Sequence, residues 1–254
     1  EDLNLKIKFK GKIKIIFKLS CLYSSNRVLS ELYFENKDIK EILIPLYFFN
    51  ELKNGMLFFE IRGLDTSEVY SFEYFTNTQI KNNINLGIVI THFNRQQYVL
   101  PAMERLKKEL IEVPEFKGKV SLNIVDNSQN LPEVKGINII KNANLGGAGG
   151  FTRGLIYLQD QKKYTHCLFM DDDASCEVEG IKRTINLLEF AKKDNLSIAG
   201  AMLNEAKSYI QYENGAKLPG YWQPINNNFD LRDYRCLLKN EEEVAIPAYG
   251  GWWF

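Results

Sequence analysis

The first part of the chain is organised by alternating apolar and polar residues. Between positions 5 and 15 almost every second residue is apolar, and the residues between them are mostly lysines. A period of two residues is typical of a β-strand with one buried face. The lysine face predicts a solvated outer surface or a protected sheet edge, and a surface for anionic lipid or polymer is the alternative.

Short apolar and aromatic runs follow this strand, and turn-forming segments separate them. Such runs favour further strands, so the sequence predicts a small antiparallel β domain. The runs lie at 28–34, 42–49, 56–61 and 69–75, and the turns lie at 50–55 and 63–66.

Near residue 82 the pattern changes to alternating strands and helices. A continuous apolar run at 87–91 is followed by a helix-compatible stretch at 96–113. This alternation predicts an α/β domain with a mostly parallel sheet and helices on both faces. We therefore expect two domains, 1–82 and 83–254. Further strands are predicted at 120–126, 137–142, 166–171 and 198–202, and helices at 151–161 and 177–193.

Composition narrows the class of protein. The 254 residues contain 32 basic and 32 acidic side chains, so the broad positive field of a nucleic-acid-binding protein is not expected. Four cysteines without a CxxC pair predict free thiols in a reducing compartment. The apolar runs are shorter than the roughly 18–20 residues of a membrane span, and no signal-peptide core is present. We expect a soluble, cytoplasmic protein.

Polar residues follow the predicted strands, at the edge where α/β sheets bind ligands. Three carboxylates, Asp171 to Asp173, emerge from the strand at 166–171. Alternation along an extended chain directs Asp171 and Asp173 toward one Mn²⁺ or Mg²⁺ ion, with Asp172 pointing away. A solvated acidic turn before a helix is the alternative.

A glycine-rich segment, 144–150, precedes the helix predicted at 151–161. Its glycines permit close backbone approach to a ligand, with Gly146 and Gly147 as candidate contacts. The segment is neither a P-loop nor a dinucleotide fingerprint, and a flexible turn is the alternative. Arg95 suits a phosphate or a nucleobase edge, or it is a surface residue at a helix start.

Two further pairs of adjacent residues offer ligand contacts. Asp126 and Asn127 supply an acceptor and an amide for a uracil or ribose edge, or they form a turn. Trp252 and Trp253 follow two glycines and offer aromatic faces for sugar stacking. Adjacent side chains of a strand point to opposite faces, so we expect one tryptophan to face the crevice.

Five motifs together carry a resemblance to a known family. They read IVITHFNR at 88–95, VDN at 125–127, NLGGAGGFTR at 144–153, FMDDD at 169–173 and GWW at 251–253. In this order they resemble the bacterial galactofuranosyltransferases of glycosyltransferase family 2, from about residue 87 onward. The resemblance implies a GT-A fold, which is a Rossmann-like nucleotide-diphospho-sugar transferase domain. It also implies a preceding β-sandwich that helps to place a polymeric acceptor.

The same resemblance implies a UDP-galactofuranose donor, a divalent cation and inversion at the anomeric carbon. The positions that match the UDP-binding residues are Arg95, Asn127, Asn144 and Asp171, with Asp126 adjacent. Asp171 and Asp173 match the metal ligands, Trp252 and Trp253 match the acceptor wall, and Glu213 aligns loosely near the donor sugar. The family's general base and a histidine ligand are expected beyond Phe254, so the resemblance implies a catalytic domain truncated at its C-terminus.

Two alternatives remain at this stage. One is a family 2 transferase that uses another nucleotide sugar, such as dTDP-rhamnose. The other is a non-catalytic glycan-binding protein. Analogy with enzymes acting on lipid-linked glycans adds peripheral attachment to the inner face of the cytoplasmic membrane as an expectation.

Overall fold

The computed structural model describes residues 2–193, 196–217, 221 and 223–240. These residues form two compact units. The first comprises residues 2–79, 203–212 and 226–240, and the second comprises the other described residues. The first change of unit, between residues 79 and 80, lies close to the expected boundary at 82. The first unit also includes two later segments.

The first unit is built around one long strand. The strands of its main sheet are β1 (Asn4–Ser20), β2 (Arg27–Pro45), β3 (Met56–Gly63) and β4 (Glu68–Phe75). β1 pairs with β2 along one side, and its other side pairs first with β4 and then with β3. All three pairings are antiparallel, as the alternating pattern predicted.

The two faces of β1 differ as the alternation predicted. Its apolar face is buried and includes Leu5, Ile7 and Phe9. Four lysines of the other face form ion pairs with glutamates of the neighbouring strands: Lys6 with Glu73, Lys12 with Glu35, Lys14 with Glu31, and Lys18 with Glu60. This local compensation of charge favours the solvated outer face over a surface for anionic lipid.

The structure has one long strand, β2, where the sequence predicted two separate strands at 28–34 and 42–49. Both runs begin within β2, which also includes the polar residues between them because β1 offers backbone partners along that stretch. β2 ends at Pro45, and Tyr47–Glu51 forms a 3₁₀ helix instead of extending the strand. Proline has no amide hydrogen to continue a ladder, which explains the end of β2.

The second unit contains a parallel sheet with helices on both faces, which confirms the predicted α/β pattern. Its strands are β5 (Leu86–His92), β6 (Val120–Asp126), β7 (Asn138–Lys141) and β8 (His166–Asp171), in the order β7-β6-β5-β8. Helices α1 (Gln96–Leu106) and α3 (Val178–Phe190) pack on one face, and α2 (Gly146–Asp160) packs on the other. A π-helical segment, Lys107–Ile111, continues α1.

Short elements complete the described chain: β9 (Met202–Leu203), β10 (Ile210–Glu213), β11 (Ala216–Lys217), β12 (Gln223–Pro224), β13 (Phe229–Asp230) and α4 (Tyr234–Asn240). The strand predicted at 198–202 is wrong, because only its last residue belongs to a strand. Small residues and Gly200 give this segment a weak strand preference. No helix among the described residues has the length and apolar character needed to cross a bilayer.

Glycines bring α2 very close to the central strand β5. A Cβ added at Gly150 would lie 2.2 Å from Thr91 Cγ2, and one at Gly154 would lie 2.3 Å from Val89 Cγ1. Gly87 in turn leaves room for the side chain of Leu158. Four residues of a helix rise about 6 Å, and two residues of a strand rise about 6.6 Å. Every fourth residue of α2 therefore meets every second residue of β5 along the contact.

The cysteines are free, as predicted, and they differ in surroundings. Burial raises the pKa of the Cys167 thiol to about 12 and also raises the pKa of Cys176. Cys21 and Cys236 line an open cleft of about 820 Å³ within the first unit.

We expect maleimide at pH 8 to label Cys21 and Cys236 before Cys167 and Cys176. A raised thiol pKa lowers the fraction of reactive thiolate, so Cys167 and Cys176 react slowly. Peptide mass spectrometry after timed labelling measures the order, and labelling in guanidinium should remove the difference. Equal rates for Cys167 and Cys21 in the native protein would contradict the expectation.

Candidate functional site

The strand order of the parallel sheet reverses between β5 and β8, and we call the carboxyl edge of the sheet at this reversal the crevice. The chain proceeds from β5 outward through β6 and β7, and then returns to the other side of β5 as β8. Ligands of open α/β sheets bind beyond the strand ends at such a reversal of strand order. The segments after β5, β6 and β8 are therefore the candidate site.

Three polar residues of adjacent strands share the α2 face of the sheet at this edge. Thr91 of β5 is in register with Asp171 of β8 and with Val125 of β6. Val125 packs in the apolar cluster beneath α2, and side chains two residues apart share a face. Asn127, two residues beyond Val125, is therefore expected on the same face as Thr91 and Asp171, and we call these three residues the edge row.

The first turn of α2 is formed by the glycine-rich segment near the edge row. The prediction of a loop at 144–150 is therefore wrong for its last five residues, because Gly146–Asp160 is helical. Asn144 Oδ1 accepts a hydrogen bond from the Gly146 amide at 3.1 Å. A Cβ added at Gly146 or Gly147 would meet no atom within 4 Å, so both positions are open to a ligand. Amides at a helix N-terminus favour anions.

The extended geometry predicted for the three aspartates stops at Asp171, because residues 172–173 form a turn in which Asp172 and Asp173 both contact Arg95 Nη1. Asp172 is buried, whereas Asp171 and Asp173 are exposed. Asp172 accepts hydrogen bonds from the Phe93 amide and from Arg95 Nη1, each at 3.2 Å. Asp172 therefore holds the segment after β8 against the segment after β5.

Two arginines hold the acidic segment from the α1 side. Arg95 Nη1 lies 2.5 Å from Asp173 Oδ2. Arg105 donates hydrogen bonds to the Cys176 carbonyl at 2.6 Å and to Ser175 Oγ at 3.3 Å. Of these two arginines, Arg95 lies at the crevice. Its positive charge suits an anionic ligand there.

Partial desolvation of the Asp171 carboxyl group raises its pKa, and repulsion from Asp173 and Asp172 raises this pKa further, while Arg95 opposes the rise. A bound cation would relieve this repulsion. No cluster of three or more His, Cys, Asp or Glu side chains suited to a metal occurs in the described part of the chain. Two carboxylates still fit Mg²⁺ or Mn²⁺, because such ions often keep waters and bind ligand phosphates in their other positions.

The edge row also contains an unusual hydroxyl. Thr91 Oγ1 is buried and has no hydrogen-bond partner among the described residues. Most buried polar atoms in proteins are paired, so this unpaired hydroxyl beneath Gly150 of α2 is unusual.

Asp126 and Asn127 have different roles in the structure. Asp126 Oδ1 accepts hydrogen bonds from the amide and the hydroxyl of Ser128, and Oδ2 accepts one from the Leu131 amide. Asp126 therefore stabilises the turn that follows β6, as its alternative interpretation predicted. Asn127 is buried, and its Oδ1 accepts a hydrogen bond from Asn142 Nδ2 at 2.9 Å.

Residues outside the predicted set connect the loops that line the crevice. Asn130 Nδ2 donates to Asn94 Oδ1 at 3.1 Å, and Asn130 Oδ1 lies 3.2 Å from His92 Nε2. His92 is fully buried, and its Nδ1 lies 3.3 Å from Asp172 Oδ2. These contacts join side chains that are far apart in the sequence, so the sequence alone does not predict them. Only the position of His92 at the end of a strand marked it as a candidate site residue.

The remaining predicted residues lie elsewhere or outside the described residues. Glu213 is buried at the end of β10, and no hydrogen bond among the described residues connects it to the edge row. Trp252 and Trp253 lie outside the described residues.

The parallel sheet, its reversal of strand order and the helices on both of its faces define a doubly wound α/β domain. The chain is similar to the galactofuranosyltransferase GlfT2 of Mycolicibacterium smegmatis, with 27% identity over 225 residues, 78% of this chain and 34% of the relative. It is also similar to the galactofuranosyltransferase GlfT2 of Mycobacterium tuberculosis, with 27% identity over 223 residues and the same coverage. The chain thus spans about a third of the length of these relatives. No family model matches it.

Proposed function

We propose that this chain contains the donor site of a glycosyltransferase that uses a nucleotide sugar. The observation that carries the proposal is the edge row of Asn127, Thr91 and Asp171 at the reversal of strand order, near the open first turn of α2. An amide, a hydroxyl, a carboxylate and free helix amides suit the base, ribose and diphosphate of such a donor.

Each part of the site has a role in this proposal. Asn127 contacts the base or ribose, and Arg95 with the Gly147 amide holds the diphosphate, while Asn144 engages the Gly146 amide. Asp171 and Asp173 would hold a divalent cation, which neutralises charge on the departing diphosphate when bound. Asp172 and His92 position these groups by keeping the segments after β5 and β8 together.

The finer proposal follows the two relatives, which are named galactofuranosyltransferases. The donor is UDP-galactofuranose, and the sugar moves with inversion onto a glycan or lipid-linked glycan acceptor. The α/β unit is a GT-A domain, and the antiparallel unit is a β-sandwich that helps to place the acceptor. Glu213 approaches the donor sugar, and Trp252 and Trp253 form the acceptor wall.

Calorimetric titration of UDP tests the donor site. We expect binding in the micromolar range with Mn²⁺ and a large loss of affinity with EDTA, because the cation joins the carboxylates to the diphosphate. GDP is the control for base recognition. A folded chain that binds UDP neither with nor without Mn²⁺ would contradict the proposal.

Competition against bound UDP then identifies the sugar nucleotide. UDP-galactofuranose should displace UDP more effectively than UDP-galactopyranose or dTDP-rhamnose, if the site recognises the furanose ring. Tighter binding of dTDP-rhamnose would indicate the other family 2 chemistry. Glycan binding in the absence of any nucleotide binding would instead indicate a non-catalytic glycan-binding protein.

A further inference from the structure

Two asparagine pairs connect the β6 segment with the β7 segment. The inner pair is Asn123 with Asn138, and the outer pair is Asn127 with Asn142, which directly follows β7. Asn138 Nδ2 donates a hydrogen bond to Asn123 Oδ1 at 2.8 Å. Asn142 Nδ2 donates in the same way to Asn127 Oδ1 at 2.9 Å. Asn123 and Asn127 are four residues apart on one strand path, so both pairs lie on the same face of the sheet.

The inner pair has a fixed polarity. Asn123 is fully buried, and its Nδ2 donates to the Ile88 carbonyl of β5 at 3.0 Å. A carbonyl oxygen can only accept, so the Asn123 amide cannot exchange its two ends.

The outer pair leaves one end of an amide for the crevice. Asn142 engages Asn127 Oδ1, whereas Asn127 Nδ2 makes no hydrogen bond in the described part of the chain and is not sealed from solvent. The end of Asn127 that remains for a ligand is therefore a donor.

The backbone holds Asn142 in place for this contact. Its amide donates to the Asp126 carbonyl at 3.1 Å, and its carbonyl accepts a hydrogen bond from Gln129 Nε2 at 3.2 Å. The partner of Asn127 is thus positioned before a ligand arrives, which reduces the entropy cost of binding.

We infer that Asn142 is a positioning residue that sets the base preference of the donor site through Asn127. An amide donor pairs with a carbonyl oxygen of uracil, whereas cytosine presents an amino donor in place of one of the uracil carbonyls. Holding Asn127 with its nitrogen toward the crevice therefore favours uridine over cytidine nucleotides. This inference rests on the proposed function.

The substitution Asn142→Asp tests the inference by reversing the pair. A carboxylate only accepts, so it draws the Asn127 nitrogen toward itself and turns the Asn127 oxygen to the crevice. Calorimetry with Mn²⁺ gives the Kd of UDP and of CDP for each variant. The two ligands carry the same diphosphate, so the added negative charge largely cancels in the ratio of their Kd values. We expect the preference for UDP over CDP to fall by about 5-fold or more, the effect of one neutral hydrogen bond.

Asn138→Asp is the matched control, because it makes the same change in the inner pair. The Ile88 carbonyl prevents Asn123 from turning, so this variant should lose stability and keep the UDP preference of the wild type. Asn142→Ala removes the positioning contact without adding charge, and it should weaken the preference without reversing it. Thermal denaturation shows which variants are folded.

The outcomes separate the inference from the proposed function. If the wild type binds UDP and Asn142→Asp keeps the same ratio of Kd values, the inference is overturned and the donor site stands. If the folded wild type binds neither UDP nor CDP, both fail. Should Asn142→Asp not fold, Asn142→Ala decides, and an unchanged ratio in that variant overturns the inference.

Discussion

Replacing Asp171 with asparagine is expected to reduce metal-dependent UDP affinity by about 100-fold while making the ligand-free protein slightly more stable. Metal contacts contribute several kcal/mol to such sites, and about 2.7 kcal/mol corresponds to 100-fold. Without a ligand, Asp171 is repelled by Asp173 and Asp172, which contribute to its raised pKa. The neutral amide relieves that repulsion. Asp171 is exposed and screened by solvent, so the gain is a few tenths of a kcal/mol, roughly.

The pH dependence of this gain has a definite sign. The folded-state pKa of Asp171 is raised, so the ionised carboxylate destabilises the fold above that pKa. The stability difference between variant and wild type should therefore be present at neutral pH and disappear as pH falls through the raised pKa. Thermal melts across this range measure it.

Two matched variants make the result specific. Asp160→Asn removes the same charge at the far end of α2 and should leave UDP affinity unchanged. Asp172→Asn alters the neighbouring carboxylate, which is buried against Arg95 and the Phe93 amide, and should destabilise the protein by about 1–3 kcal/mol. A loss of stability in Asp171→Asn, or UDP binding equal to that of wild type, would contradict the assignment of Asp171.

Alanine at Gly150 or Gly154 is expected to destabilise the protein by about 1–3 kcal/mol, the usual cost of overpacking a tight contact. The added methyl group would lie 2.2 Å from Thr91 Cγ2 or 2.3 Å from Val89 Cγ1. These atoms belong to the central strand, so relief requires α2 to move. The helical preference of alanine returns at most about 1 kcal/mol.

Gly147→Ala is the control within the same helix. A Cβ at this position meets no atom within 4 Å, so the variant should be neutral or more stable by up to about 1 kcal/mol. Chemical denaturation of the three variants measures the differences. Equal changes in the free energy of unfolding at positions 147 and 154 would show that close packing against β5 does not require glycine at position 154. If the first turn of α2 holds the diphosphate, Gly147→Ala also weakens UDP binding.

Much of the parallel sheet was predictable from the sequence because its strands are short, continuous apolar runs. The strands predicted at 120–126 and 166–171 match β6 and β8 at both ends. The start of α2 was not predictable, because glycine disfavours a helix and its presence there depends on the contact with β5. That contact joins Thr91 and Gly150, which are 59 positions apart, and no local pattern announces it.

The candidate site was predictable in part for a related reason. Polar residues directly after apolar strands were visible in the sequence, which identified Arg95, Asn127 and Asp171. The residues that position these side chains could not be predicted from the sequence. Asn142 is an ordinary turn residue by sequence, and only the pairing of β6 with β7 brings it to Asn127.

The contact between α2 and β5 also limits how this segment can change length. Gly150, Gly154 and Leu158 repeat every four residues, in step with alternate residues of β5. One inserted residue would rotate the rest of the helix by about 100° and replace a glycine at the contact with a larger side chain. Natural variation in chain length should therefore avoid residues 150–158 and accumulate elsewhere. A lifted helix would also carry its first-turn amides away from the edge row, so the two glycines set the distance between these amides and the strand ends.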